Sequence, residues 1–221
     1  MLKNILIVWG TSGLGLDLAQ KYSALWHTCF ITGRQNPNIA GLHFLYFDIT
    51  DDSIANISQV ETIVWQLPTI HTLIYAAGYR QEWHIDDFTD AEILTMTHVG
   101  LSVPMLLIRR LKKETDLLKI ILITSTSSFT AREYEPLYCS TKAGLHMLWD
   151  CLVLDQHIGK VLIVAPWGMK TPFRNPDKDT SEYLDPDRVW DQVIELSTWA
   201  FKYKFAKIFR NPARVEIVET R

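Results

Sequence analysis

Ile5-Leu6-Ile7-Val8-Trp9-Gly10-Thr11-Ser12-Gly13-Leu14-Gly15 joins a strand-sized apolar run to a glycine-rich turn, and an amphipathic segment over 14–25 follows it. Glycines between a first strand and a first helix let the backbone approach a pyrophosphate. The helix N-terminus adds free N–H groups and a partial positive charge. The same cluster taken alone is equally a tight turn with no ligand. Its place after the first strand of a βαβ unit is what points to Gly10, Thr11, Ser12, Gly13, Leu14 and Gly15 as a dinucleotide cradle.

Outward from this stretch, short apolar runs alternate with longer amphipathic ones. Strand-sized runs lie near 5–9, 29–32, 44–47, 73–76, 120–124 and 161–165; helix-sized segments lie near 14–25, 51–65, 88–113 and 136–157. A further helix over 186–200 follows Asp185-Pro186, a good N-cap and first-turn pair. This alternation predicts an α/β fold, a doubly wound parallel sheet covered on both faces. No repeat, low-complexity tract or linker divides the chain, so residues 1–221 read as one domain. The most polar loop, 174–182, falls between a strand end and a helix, where ligand sites gather in such sheets.

Thr32-Gly33-Arg34 closes the second strand. An acidic residue here would hydrogen-bond a ribose 2′-hydroxyl, whereas an arginine pairs with a 2′-phosphate. Beside the glycine turn, Arg34 favours NADP(H) over NAD(H); alone it is an exposed arginine in a polar loop.

Tyr138-Cys139-Ser140-Thr141-Lys142 opens the helix after the fifth strand and puts Tyr138 and Lys142 on one helical face. A tyrosine is a poor acid–base at neutral pH. An ammonium about 5 Å away, at an effective dielectric near 20, favours the phenolate by about 3 kcal/mol. Tyr and Lys four apart also occur by chance on surface helices. Ser125, thirteen residues before Tyr138 at a strand end, sharpens the pattern, because a hydroxyl there can hold a carbonyl beside the tyrosine.

With these residues in order, the sequence resembles the single-domain short-chain dehydrogenases/reductases over nearly its whole length. The family's YxxxK matches Tyr138 to Lys142, and its upstream serine matches Ser125. Its acidic residue after the third strand, an adenine contact, matches Asp48; its PGxxxT resembles Pro166-Trp167-Gly168-Met169-Lys170-Thr171, with Thr171 toward the nicotinamide carboxamide. The NNAG after the fourth strand appears as Tyr75-Ala76-Ala77-Gly78, which makes Ala76, Ala77 and Gly78 cofactor contacts. The likeness implies a Rossmann-like sheet of about seven strands, a Ser125-Tyr138-Lys142 catalytic set, and hydride transfer between a nicotinamide and a carbonyl or alcohol. It also implies a homodimer or homotetramer.

The sequence departs from that pattern at four places. Aligned on Gly13 and Gly15, Trp9 stands where the first glycine belongs; the alternative is a loop one residue shorter that begins at Gly10. Tyr75 and Ala76 replace the two asparagines, Thr97 replaces the helix asparagine of the proton relay with His98 beside it, and Trp167 replaces the glycine of PGxxxT. Together these keep open a second reading, a dinucleotide-binding sensor or scaffold without turnover. Against it stands the intact Ser-Tyr-Lys set. Sugar-nucleotide epimerases also use YxxxK, but carry a larger C-terminal region than the roughly fifty residues after Thr171. No G-x-S-x-G elbow or HExxH motif supports a hydrolase or a metal enzyme.

Composition bounds the rest. The 221 residues are 48% hydrophobic and 21% charged, an ordinary globular balance. With 22 basic and 25 acidic residues the net charge is −3, and no basic stripe offers nucleic acid or an anionic membrane a footprint. Arg109, Arg110, Lys112 and Lys113 read as a solvated helix end. No 18-residue apolar stretch or leader is expected, and three cysteines with no CxxC suit a reducing, cytoplasmic setting. The substrate itself is not legible. Residues 173–184 with Tyr79, Trp83 and His84 are expected to shape its pocket, or else to pack in the core.

Overall fold

A computed structural model describes residues 2–171 and 181–221, so most of the polar loop 174–182 and of the expected pocket segment 173–184 lies outside the described residues. Strands β1 (Asn4–Val8), β2 (Thr28–Gly33), β3 (Leu42–Tyr46), β4 (Thr72–Tyr75), β5 (Lys119–Ile123), β6 (Lys160–Pro166), β7 (Tyr203–Arg210) and β8 (Ala213–Thr220) form one sheet in the order β3-β2-β1-β4-β5-β6-β7-β8. Seven run parallel. The doubly wound parallel sheet is the one expected; the eighth strand, β8, adds to it by pairing antiparallel with β7 and closing that edge as a hairpin, and neither β7 nor β8 is among the strand-sized runs read from the sequence.

Period-two alternation explains the two cores. Leu6 and Val8 of β1 face one layer, where Tyr75, Leu122, Val60, Leu107, Leu145 and Trp149 are buried. Ile5 and Ile7 face the other, with Ile74, Ile121, Leu18, Trp190 and Val193. Helices α2 (Ser53–Gln66), α4 (Val103–Glu114) and α5 (Pro136–Leu152) supply the first layer, and α1 (Gly13–Ala24) with α6 (Pro186–Thr198) the second. Asp185 caps α6 by accepting from the Asp187 N–H at 3.1 Å, as its sequence signature predicts.

The segment expected as one helix over 88–113 is α3 (Asp90–Thr97), a π-turn (His98–Ser102) and α4, running as a single rod from Asp90 to Glu114. By length and composition this rod is apolar enough to cross a membrane, contrary to the expectation that no such segment exists. Its apolar side nonetheless packs into the fold through Val99, Val103, Leu107, Ile108 and Leu111. The basic end is less solvated than expected: Arg110 pairs with Glu61 and Lys112 with Asp155.

β1 lies between β2 and β4, so the chain winds outward in both directions from it. That reversal leaves a crevice at the carboxyl ends of the strands.

Candidate active site

The crevice is a cleft of about 840 Å³, within the range of small-molecule and cofactor sites. Thr11, Ser12, Gly13, Leu14, Gly15, Arg34, Ala76, Ala77, Gly78, Ser125, Tyr138, Lys142, Pro166, Gly168 and Thr171 all line it. Residues from five separate loops therefore meet in one place. Gly10 and Asp48 do not line it. Gly10 is buried beneath the turn, where a Cβ would fall 2.8 Å from Ile31. Asp48 is held at its backbone by Gln59 in α2, which accepts from the Asp48 N–H at 2.9 Å and donates to its carbonyl at 2.8 Å.

Trp9 adopts φ 59°, a left-handed conformation that favours glycine. Trp9 is among the residues that line the cleft. Helix α1 starts immediately against it. A Cβ on Gly15 would sit 2.2 Å from the Trp9 carbonyl oxygen, so only glycine lets the helix N-terminus come this close to β1. Gly13, at φ 48°, has, among the described residues, no non-neighbouring atom nearer its Cβ position than Thr171 at 4.0 Å.

Ser125 lies two residues past β5 in extended backbone, and its Oγ accepts the Ser127 N–H at 3.1 Å. With that lone pair engaged, the hydroxyl proton remains to donate elsewhere. Tyr138 and Lys142 sit one turn apart on α5, both buried, with the Lys142 Nζ 5.6 Å from the centre of the Tyr138 ring. Lys142 donates to the carbonyls of Ala77 and Ile123, each at 3.4 Å. Burial pushes its ammonium down to about 8.

The departures acquire physical reasons. The Tyr75 hydroxyl donates to the Val99 carbonyl in the π-turn at 2.6 Å, beneath the sheet edge. The Thr97 hydroxyl donates to the Ile93 carbonyl at 2.7 Å. His98 is buried and turned toward α2, with Nδ1 2.8 Å from the Thr50 carbonyl and Nε2 3.0 Å from Ser53 Oγ. It does not substitute for the relay asparagine. Trp167 lines the cleft with the Arg132 and Arg210 guanidinium carbons each 5.7 Å from its ring centre.

Tyr79 lines the cleft, whereas Trp83 is half-exposed and His84 packs 4.7 Å from the Tyr134 ring. Sequence reasoning missed Gln35, Arg80, Ile123, Thr124 and Met169 among the lining residues. None carries a spacing signal.

Comparison with known proteins bears on the fold and the family. A family model described as short chain dehydrogenase matches residues 3–182. An uncharacterized oxidoreductase, DltE, of Bacillus subtilis (strain 168) is 26% identical over 156 residues, which is 65% of this chain and 61% of that protein's length. The alcohol dehydrogenase of the archaeon Thermococcus sibiricus, complexed with 5-hydroxy-NADP, superposes with a TM-score of 0.79 at 15% identity over 98% of this chain and 100% of that one. A 4-hydroxyisoleucine dehydrogenase complexed with NADH gives 0.78 at 19% identity over 93% and 96%. These structural likenesses carry the fold; the family model, spanning most of the sequence and all of its cleft-lining motifs, carries the descent, and the chain belongs to the short-chain dehydrogenase family.

Proposed function

We propose that this protein is an NADP(H)-preferring oxidoreductase that interconverts a carbonyl and an alcohol. The observation that carries the reading is the meeting of the glycine turn with Ser125, Tyr138 and Lys142 in one cleft. The residues suit a dinucleotide: among the described residues the turn is uncrowded at Gly13, the N-terminus of α1 supplies free N–H groups there, and the cleft has the volume. A bound nicotinamide supplies or accepts the hydride.

The chain's own groups handle the oxygen and the proton. The Ser125 hydroxyl, its acceptor side engaged by Ser127, donates to the substrate oxygen and holds it beside Tyr138. Tyr138 gives that oxygen a proton during reduction and removes it during oxidation. Lys142, buried one turn away, favours the phenolate and lowers the cost of that exchange. Arg34, exposed at the rim, is placed to pair with a 2′-phosphate. Three free thiols accord with a cytoplasmic setting, and exposed Leu94, Met105 and Met147 on α3, α4 and α5 accord with self-association.

The test is a titration with NADPH and with NADH, followed by tryptophan quenching through Trp9 and Trp167, together with turnover of a carbonyl panel. Saturation at lower NADPH than NADH is expected, and Arg34→Ser should weaken NADPH binding about 10- to 100-fold while leaving NADH unchanged. Tyr138→Phe should lose at least about a hundredfold in turnover with nucleotide binding intact. Equal turnover in that variant would refute the catalytic assignment. Nucleotide binding with no turnover of any carbonyl would favour the sensor reading.

A further inference from the structure

The loop after β4 carries Arg80 into the cleft that Tyr138 lines. The Arg80 side chain is 6% exposed, and a cation so buried persists only when paired. Two carboxylates meet it: Glu82, two residues on, and Glu135, three residues before Tyr138. Burial opposes the guanidinium charge, but Glu135 and then Glu82 more than offset this and hold Arg80 above its ordinary value. Arg80 is also within electrostatic reach of the Tyr138 oxygen.

Glu135 occupies the N-cap position of α5 yet does not cap it with its side chain. Its carboxylate accepts instead from Ser127 Oγ at 3.1 Å and lies 4.0 Å from Arg132 Nε. Ser127 is the residue whose N–H engages Ser125 Oγ. One buried carboxylate therefore ties the serine turn, the first turn of the tyrosine helix and the loop after β4. A bolt with no electrical part would not need an ion pair here, since an apolar contact of the same shape is often as stable.

We propose that Arg80 and Glu135 are positioning residues for Ser125 and Tyr138, and that their opposed charges set the ease with which the Tyr138 phenol ionises. The proposal rests on the oxidoreductase reading above. Among the described residues, Lys142 on α5 and Arg80 from the loop after β4 act directly on Tyr138; Glu82 and Glu135 pair with Arg80, and Arg132 lies 4.0 Å from Glu135. Removing the anion and removing the cation must then act in opposite directions. Glu135→Gln keeps the shape and a hydrogen-bond acceptor for Ser127 but leaves Arg80 less compensated, so the phenolate forms at lower pH. Arg80→Gln leaves two carboxylates near the phenol, so the phenolate forms at higher pH.

The experiment reads Tyr138 directly in the full chain with NADPH bound. The tyrosinate absorbance is titrated for wild type, Glu135→Gln and Arg80→Gln, each against the same protein carrying Tyr138→Phe, so that the difference isolates one phenol. The midpoint should fall by about one pH unit in Glu135→Gln and rise by about one in Arg80→Gln. A midpoint that stays put, or moves the same way in both, overturns the proposal. Where Arg80→Gln does not fold, Arg80→Lys takes its place and should keep the wild-type midpoint while Glu135→Gln still lowers it. Turnover separates the two readings. If Tyr138→Phe abolishes it while the midpoints do not move, only this inference fails; if Tyr138→Phe is fully active, the oxidoreductase assignment fails first.

Discussion

The ammonium of Lys142 has two carbonyls within hydrogen-bond reach and, among the described residues, no carboxylate partner. Its folded-state value of about 8 lies below the 10.5 of an exposed lysine. Between those two pH values the unfolded chain holds the extra proton, so stability rises with pH across the window; below about 8 the buried charge is carried at full cost. That cost is about 3 kcal/mol for the apoprotein. Lys142→Met should therefore stabilise the apoprotein at neutral pH by up to that amount while abolishing turnover, and should remove the rise in stability between pH 8 and 10.5. Urea midpoints measured across that range check it, and an unchanged slope would count against the burial argument. The position of Lys142 was legible from its spacing to Tyr138. Its own desolvation was not, because the carbonyls it meets in the fold, of Ala77 and Ile123, are 65 and 19 residues away along the chain. Arg80 and Glu135 were invisible for the same reason: each looks like a surface charge until the fold closes over it.

At the scale of elements, the π-turn His98–Ser102 decides how the long helix meets the rest. A π-turn disturbs the regular i to i−4 ladder. The Val99 carbonyl, buried within it, is satisfied by the Tyr75 hydroxyl of β4. Tyr75→Phe leaves that oxygen unpaired and should cost about 1–3 kcal/mol. For a chain of this size each kcal/mol lowers Tm by about 2–4 °C, which calorimetry resolves. Gly100, in the same turn, packs so tightly on α5 that a Cβ would fall 2.5 Å from Thr141 Cβ. Gly100→Ala should displace the segment of α5 adjoining Lys142 and lower turnover more than nucleotide affinity, a difference that a titration and an initial rate together reveal. Hydrophobic periodicity located the rod over 88–113 but not the turn. One extra residue per hydrogen-bonded ring merely rotates the apolar stripe, and the count of apolar residues is unchanged.

For the whole molecule, the strand runs and their order along the chain were readable because buried parallel strands are short, apolar and β-branched. β8 was not. Its residues Ala213–Thr220 are mostly exposed and alternate charge with small or branched side chains, as an edge strand does. It covers β7, whose Tyr203 and Phe205 pack on one face of the sheet and Ala206 and Ile208 on the other. A chain ending at Pro212 would expose that edge, and size-exclusion chromatography with light scattering should show it associating where the full chain does not add further mass. The antiparallel return of β8 has one more effect. It brings Thr220 beside Lys204, at the amino ends of the parallel strands, on the opposite rim of the sheet from the cleft. A tether attached at Arg221 would hold the protein to a sensor surface or a resin by its back, leaving the nucleotide cleft facing the bulk solution.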